Sequence, residues 1–233
     1  MKRIYISPSS QEENLYAAGG TNEAEQCRRI ALALVRELKR CGFDAKTDVT
    51  PGRTMYDRVA QSNVWKADAH IPIHSNAFDG KVAGFRGFAY AASGEGYRLA
   101  GAIMETLAPV MPGTADGLSA QPPLYEVRAS DAPCAYLEIG FHDNPEEARF
   151  IIDHTGEIAR AICMGICNHF GVEYVEEQSM FEDVKPGAWY AEAVQWAAEK
   201  GIVRGVDETH FAPDRPCTRA EVVTMLYRLS QTQ

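Results

Sequence analysis

Three polar residues set at the margins of apolar segments carry the clearest chemistry in this sequence. His74 lies in Ile71-Pro72-Ile73-His74-Ser75-Asn76-Ala77, and Glu138 lies in Pro133-Cys134-Ala135-Tyr136-Leu137-Glu138-Ile139-Gly140-Phe141. An imidazole and a carboxylate facing one crevice supply a metal ligand and a general base. Glu23 is the third candidate, at the head of a helical pattern running from Thr21 to Leu38.

The elements that must position these groups follow from periodicity. The runs before His74 and Glu138 are apolar and partly β-branched, as buried parallel strands are. Ligands collect at the carboxyl ends of such strands in open α/β sheets. Cys27, Ile30, Ala31, Leu34 and Leu38 recur at three- and four-residue spacing, which predicts an amphipathic helix. Asn22 and Glu25 fit its capping box and Gly42 its stop. Glu23 then falls in the first turn, with its side chain directed back past the helix start.

Along the rest of the chain the expected order is an edge strand at 43–47, a helix at 54–65 and the His74 strand. A strand at 85–91, a helix at 96–110, a loop at 118–123 and a short strand at 124–127 come next. After the Glu138 strand, helices are expected at 145–153 and 155–170. This alternation predicts an α/β fold: a mixed, mainly parallel sheet flanked by helices on both faces, plus a small C-terminal helical domain.

Together these segments resemble the zinc-dependent N-acetylmuramoyl-L-alanine amidases of amidase type 3, over residues 2–172. Glu23 matches the Glu that opens the family's first long helix. Ile73-His74-Ser75-Asn76-Ala77 and Pro133 to Phe141 match its two site strands, Arg58 and Asn63 its intervening helix, and Gly84 the opening of the next strand. The resemblance implies zinc held by Glu23 and His74, Glu138 as catalytic base, and Asn76 at the substrate. It implies hydrolysis of the amide between N-acetylmuramic acid and L-alanine, with zinc polarising the carbonyl and Glu138 shuttling the proton. Arg128 could bind a substrate carboxylate or form a surface salt bridge.

One element departs from the family. Its first strand ordinarily leads into Asp-x-Gly-His-Gly, whose His is a zinc ligand. Here Arg3-Ile4-Tyr5-Ile6 runs into Ser7-Pro8-Ser9-Ser10-Gln11, an opening similar to some phage-type members. Serine is a poor zinc ligand, so Ser9, Ser10, Gln11, His142 or a water remain open as replacements. His142 follows Glu138 by four residues, about 13 Å along an extended strand. His70 is expected to pack in or near the sheet.

A boundary is expected at 174–180, in the acidic, polar run after Gly171. It divides a catalytic domain at 1–173 from a unit at 181–233. The latter resembles one S-layer homology repeat, on Phe181-Glu182-Asp183-Val184, Trp189-Tyr190, Phe211-Ala212-Pro213-Asp214 and Thr218-Arg219-Ala220-Glu221. Trp189, Trp196, Val194, Met225 and Leu226 are its expected core. A unit of about 50 residues is marginal alone. The resemblance implies binding of a secondary cell-wall polymer, with Arg219 as the candidate anion contact. Such repeats pack in threes, so a homotrimer through the repeat, a docked repeat and a vestigial one all stand.

The net charge of −9 over 233 residues argues against nucleic acid as a partner, since nucleic acid rewards basic grooves. It also leaves any affinity for the wall to shaped sites. No run approaches the ~20 apolar residues of a membrane span, and Met1 to Ile6 is too short for a secretory signal. A wall location would then follow phage-type release or loss of a leader. Of the six cysteines, none forms a Cys-x-x-Cys pair. Cys163 and Cys167 read as small hydrophobes in a buried helix. The readings in competition are a wall-lytic amidase, a non-catalytic wall-binding protein on a degenerate amidase fold, and a zinc peptidase. The paired carboxylates of a glycosidase are not evident.

Overall fold

A computed structural model describes residues 1–120, 123–177 and 179–231. The chain divides into two compact units, Met1–Val175 and Glu176–Gln233. Residues 121–122 of the expected loop and 178 of the expected linker lie outside the described residues.

The first unit is built on six strands: β1 (Arg3–Pro8), β2 (Asp44–Thr47), β3 (Ala69–Asn76), β4 (Phe85–Ala89), β5 (Ala115–Ala120) and β6 (Tyr136–Phe141). They lie in the order β2-β1-β3-β6-β4-β5. β4 and β6 are antiparallel, and every other pair is parallel. The sheet is thus mixed and mainly parallel, with β2 at an edge as expected.

Helices α1 (Glu23–Arg40), α2 (Met55–Trp65), α3 (Glu95–Leu107), α4 (Tyr125–Ala129), α5 (Pro145–Asp153) and α6 (Thr155–Phe170) complete this unit. Asn22 caps α1 by accepting from the Glu25 backbone N–H at 2.9 Å. Only half of the expected capping box forms, because the Glu25 carboxylate takes the Thr21 hydroxyl at 2.6 Å. Thr54 and Asp57 form a full box on α2.

Alternation along the strands separates two faces. Ile4, Ile6, Ile71, Ile73, Leu137 and Ile139 join Ile30, Leu34, Ile103 and Ile162 in the main core under α1, α3 and α6. The residues between them, Tyr5, Ser7, His70, His74, Tyr136 and Glu138, therefore point to the opposite face. There Val127 of α4 packs with Cys134 and Tyr136.

Two expectations change. Residues 118–120 belong to β5 instead of a loop, because Ala115–Ala120 pairs in parallel with β4. The expected strand at 124–127 is the one-turn helix α4. Four alternating residues with Tyr and Val read as a strand, but Asn63 of α2 fixes the turn. Its amide donates to the Ala129 carbonyl at 3.0 Å and accepts from the Asp131 N–H at 2.9 Å.

The second unit contains α7 (Ala191–Glu199) and α8 (Arg219–Ser230). Its core is Phe181, Val184, Ala191 and Val194, with a second cluster of Ala197, Ile202 and Val203 that Met225 partly joins. The expected core is corrected at three positions. Trp189, Trp196 and Leu226 are exposed, Trp189 at 81%. The small residues Ala191 and Ala197 of α7 are buried in the two clusters instead.

Candidate active site

The sheet brings the two strand residues together directly: His74 and Glu138 are register partners on β3 and β6. Each strand continues past its polar residue, to Asn76 and Phe141, so both groups sit inside the strands and not at their last position. The register shifts just beyond this pair, between His74 and Asn76. Gly140, at φ 141°, permits the irregularity. Glu147 secures it by accepting from the Phe141 N–H at 2.7 Å and the Gly84 N–H at 2.9 Å.

Glu23 reaches the pair from the first turn of α1, as expected. It is fully buried, and its Oε1 lies 3.0 Å from His74 Nδ1. Asn14 Nδ2 donates to Glu23 Oε2 at 2.7 Å, and the Ser75 N–H donates to Oε1 at 3.3 Å. Burial alone would push the Glu23 carboxyl up, but hydrogen bonding to His74 and its charge hold it below the ordinary value.

On its other side, His74 meets a group that sequence reasoning missed. Glu126 of α4 is 2% exposed, with Oε2 3.3 Å from His74 Nε2. Its Oε1 lies 3.3 Å from His70 Nε2 and accepts a short hydrogen bond from the Ser7 hydroxyl. His70 and His74 share a strand face four residues apart, and Glu126 sits between them. His70 is buried and stacks on Tyr5 with centroids 5.7 Å apart. Burial works to raise the Glu126 carboxyl, yet the two histidines bring it down to about 2. Sequence signal for it was weak: a lone Glu in an apolar tetrapeptide, legible only once α4 is known to be helical.

His74 is therefore clamped between two carboxylates. Burial disfavours its charge, but Glu126 and Glu23 raise its pKa to about 10. With Nε2–H turned to Glu126, Nδ1 and Glu23 Oε1 are two acceptors facing each other at 3.0 Å. Such a pair requires a cation between them, a proton or a metal ion. The ring also stacks on Tyr136, with centroids 4.7 Å apart.

Glu138 completes the site. Burial chiefly, and the negative charge of Glu23, lift it to about 7 against the lowering influence of His74. Its Oε2 is buried without a hydrogen-bond partner among the described residues. Orphaned buried carboxylate oxygens are costly, and at a cleft they mark a group kept ready for a proton.

Of the open replacements for the first ligand, Gln11 stands nearest. Its side-chain Nε2 lies 3.4 Å from His74 Nδ1 and donates to Glu23 Oε1 at 3.5 Å, while its Oε1 accepts from Asn14 Nδ2 at 3.1 Å. Ser9 is buried and supports that loop: its N–H donates to the Ile73 carbonyl and its hydroxyl accepts from the Gln11 N–H. His142 is committed elsewhere, with Nδ1 3.0 Å from the Ser75 hydroxyl and its ring stacked on Tyr16. Carboxylate and imidazole are donors that zinc accepts, and the acceptor pair at 3.0 Å fits a bound cation.

The remaining candidates are peripheral. Asn76 uses its Oδ1 to accept from the Ala77 N–H. Arg128 is exposed on α4 and lines a surface depression with Tyr97 and Asp131. In the second unit Arg219 is exposed at the start of α8. The partners envisaged for a structural salt bridge are taken: Glu221 pairs with Arg215, and Asp183 accepts from the Phe211 and Ala212 N–H groups.

The model of the N-acetylmuramoyl-L-alanine amidase family matches residues 4–168, and that of the S-layer homology domain matches residues 181–223. Among solved structures, the catalytic domain of CwlV, an N-acetylmuramoyl-L-alanine amidase of Bacillus (Paenibacillus) polymyxa, is similar at 20% identity and TM-score 0.67. It covers 74% of this chain and 100% of its own. The amidase AmiC2 of Nostoc punctiforme is similar at 21% identity and TM-score 0.66, over 73% of this chain and 97% of its own. A surface-layer 125 kDa protein of Lysinibacillus sphaericus is 46% identical over 46 residues. That match spans 20% of this chain and only 4% of the relative.

Proposed function

The chain belongs to the N-acetylmuramoyl-L-alanine amidase family, and on that premise we propose that it hydrolyses the amide between N-acetylmuramic acid and L-alanine in peptidoglycan. Zinc is the cofactor in this reading, which Glu23 and His74 would hold, with Gln11 the neighbouring side chain. The observation that carries it is the 3.0 Å approach of His74 Nδ1 to Glu23 Oε1, beside a Glu138 oxygen with no hydrogen-bond partner among the described residues.

When bound, zinc supplies Lewis acidity that polarises the scissile carbonyl and acidifies water. Glu138 takes the proton of the attacking water at Oε2 and returns it to the leaving amine of L-alanine. Its pKa of about 7 suits both directions of transfer near neutral pH. Glu126 is a positioning residue: by holding His74 Nε2–H it turns Nδ1 toward Glu23, as carboxylates behind ligating histidines do. Tyr136, stacked on the ring, keeps it from rotating. Asn76 and Arg128 contact the substrate, Arg128 through a stem-peptide carboxylate.

The S-layer homology domain supports a cell-surface location. In this reading it binds a secondary cell-wall polymer through Arg219, and three chains associate through their repeats to cover the exposed side chains of α8. No described helix is long and apolar enough to cross a membrane. Unchanged wall pelleting of Arg219→Ala would remove that residue's role.

Digestion of purified sacculi tests the activity. The reading requires new free L-alanine amino termini without new reducing sugar. Amino groups of other stem residues would indicate a peptidase instead. One observation favours a rival, a wall-binding protein on an inactive amidase fold: Ser9 or Ser10 stands where the family has a ligand His. Absence of any cleavage with zinc in excess would establish that rival.

A further inference from the structure

Away from the active site, three cysteines converge within the first unit. Cys41 follows the last residue of α1, and Cys163 and Cys167 stand one turn apart on α6. All three are buried, and their sulfurs lie within 4.8 Å of one another. Cys41 Sγ and Cys163 Sγ are 3.9 Å apart.

That spacing has a chemical meaning. Three thiolates bonded to one ion at about 2.3 Å in a trigonal plane hold their sulfurs about 4.0 Å apart. The i, i+4 spacing of Cys163 and Cys167 puts both on one helix face. Cys41 supplies the third donor from a different element. The Val175 N–H donates to Cys41 Sγ at 3.4 Å, a contact that favours the thiolate. Packing alone does not require three sulfurs at one point, since alanine or valine would fill the same space.

We propose that Cys41, Cys163 and Cys167 bind one thiophilic d10 cation of the Zn(II) or Cu(I) class as a structural site, separate from the Glu23–His74 centre. Soft thiolate donors select such ions over magnesium or calcium. On binding, three S–H groups release their protons to solvent and three sulfur–metal bonds form, with no change of oxidation state. The consequence bears on catalysis. α1 carries Glu23 at its first position and Cys41 just past its last, so the ion fastens to α6 the helix that presents the metal-binding carboxylate.

Cd(II) is the probe, used on the full chain carrying His74→Ala and Cys217→Ser. The first change removes the active-site imidazole, and the second removes the exposed thiol. The proposal expects one Cd(II) per chain, ultraviolet thiolate-to-cadmium absorption, release of protons and a raised Tm. It also expects the absorption to disappear when Cys163→Ala or Cys167→Ala is added. Absence of the absorption in the folded parent protein would overturn it, as would recovery of a Cys41–Cys163 disulfide in its place. The parent titration needs no core substitution, so misfolding of the Cys variants cannot obscure the result. Because the parent lacks His74, either outcome leaves the hydrolytic reading to its own test.

Discussion

In the first unit, polar side chains go inside: Glu23, Arg58, His70, His74 and Glu126 are all buried, and the contacts among Glu23, His74, Glu126 and His70 build the candidate site. In the second unit the reverse holds. Trp189, Trp196, Val222, Val223, Leu226 and Tyr227 are exposed, and α8 buries no residue. Yet α8 is well terminated, by a capping box between Thr218 and Glu221. Its local chemistry is complete while its packing is not. The first unit gathers its candidate site within its own interior. The second offers a surface, and its small core is typical of a unit that gains stability from neighbours.

The sharpest way to break this contrast is at Glu138. Glu138→Gln keeps the shape and removes the base, so turnover should fall by about 10²- to 10⁴-fold with zinc content unchanged. Assay of muramoyl peptide hydrolysis beside metal analysis checks both halves. Equal loss of zinc would make Glu138 a ligand instead.

Next in size is Glu126. If it orients His74, Glu126→Gln should weaken zinc binding by about 10- to 100-fold, read by competition with a chelator. Unchanged affinity in a folded variant would reduce Glu126 to a core polar group.

A pair of stability measurements sharpens the comparison between the units. A Cβ on Gly165 would lie 2.5 Å from the Ile103 Cα, where α6 meets α3. Gly165→Ala should therefore cost about 1–3 kcal/mol in urea unfolding. Trp189→Ala, on an 81% exposed side chain, should change stability by no more than about 0.5 kcal/mol while reducing wall pelleting. A large loss of stability from Trp189→Ala would show that this side is already covered.

The smallest effect concerns acid. Burial raises the Asp48 carboxyl, but hydrogen bonds from Gln61 and Thr50, and then Arg53, bring it to about 2. A depressed folded pKa gives stability that is full above the unfolded value of about 3.9 and fades as pH falls toward 2. Urea midpoints between pH 5 and 3 should drop less in Asp48→Asn than in wild type.

The parts of the fold legible in the sequence were those with a clear period. The strands around His74 and Glu138 and the apolar stripe of α1 each bury a regular set of residues, so pattern and packing agree. Glu23 was placed correctly because a first-turn carboxylate can point in only one general direction. Glu126 was not legible, because α4 is a single turn whose helicity comes from Asn63, distant in sequence. Gln11 was weighed but not selected, since its approach to His74 depends on how Ser9 hydrogen-bonds to Ile73. The tryptophans of the second unit misled for a different reason. Large aromatic residues at helical spacing usually mark a core within the chain, and these mark a surface.

The most direct test is the zinc stoichiometry of wild type and His74→Ala, with hydrolysis of a muramoyl dipeptide followed on the same samples after blocking the cysteines. The account predicts one zinc per chain and release of free L-alanyl peptide in wild type, both lost in His74→Ala. Hydrolysis that survives in His74→Ala, or a wild type that takes up no zinc and releases no peptide, would contradict it.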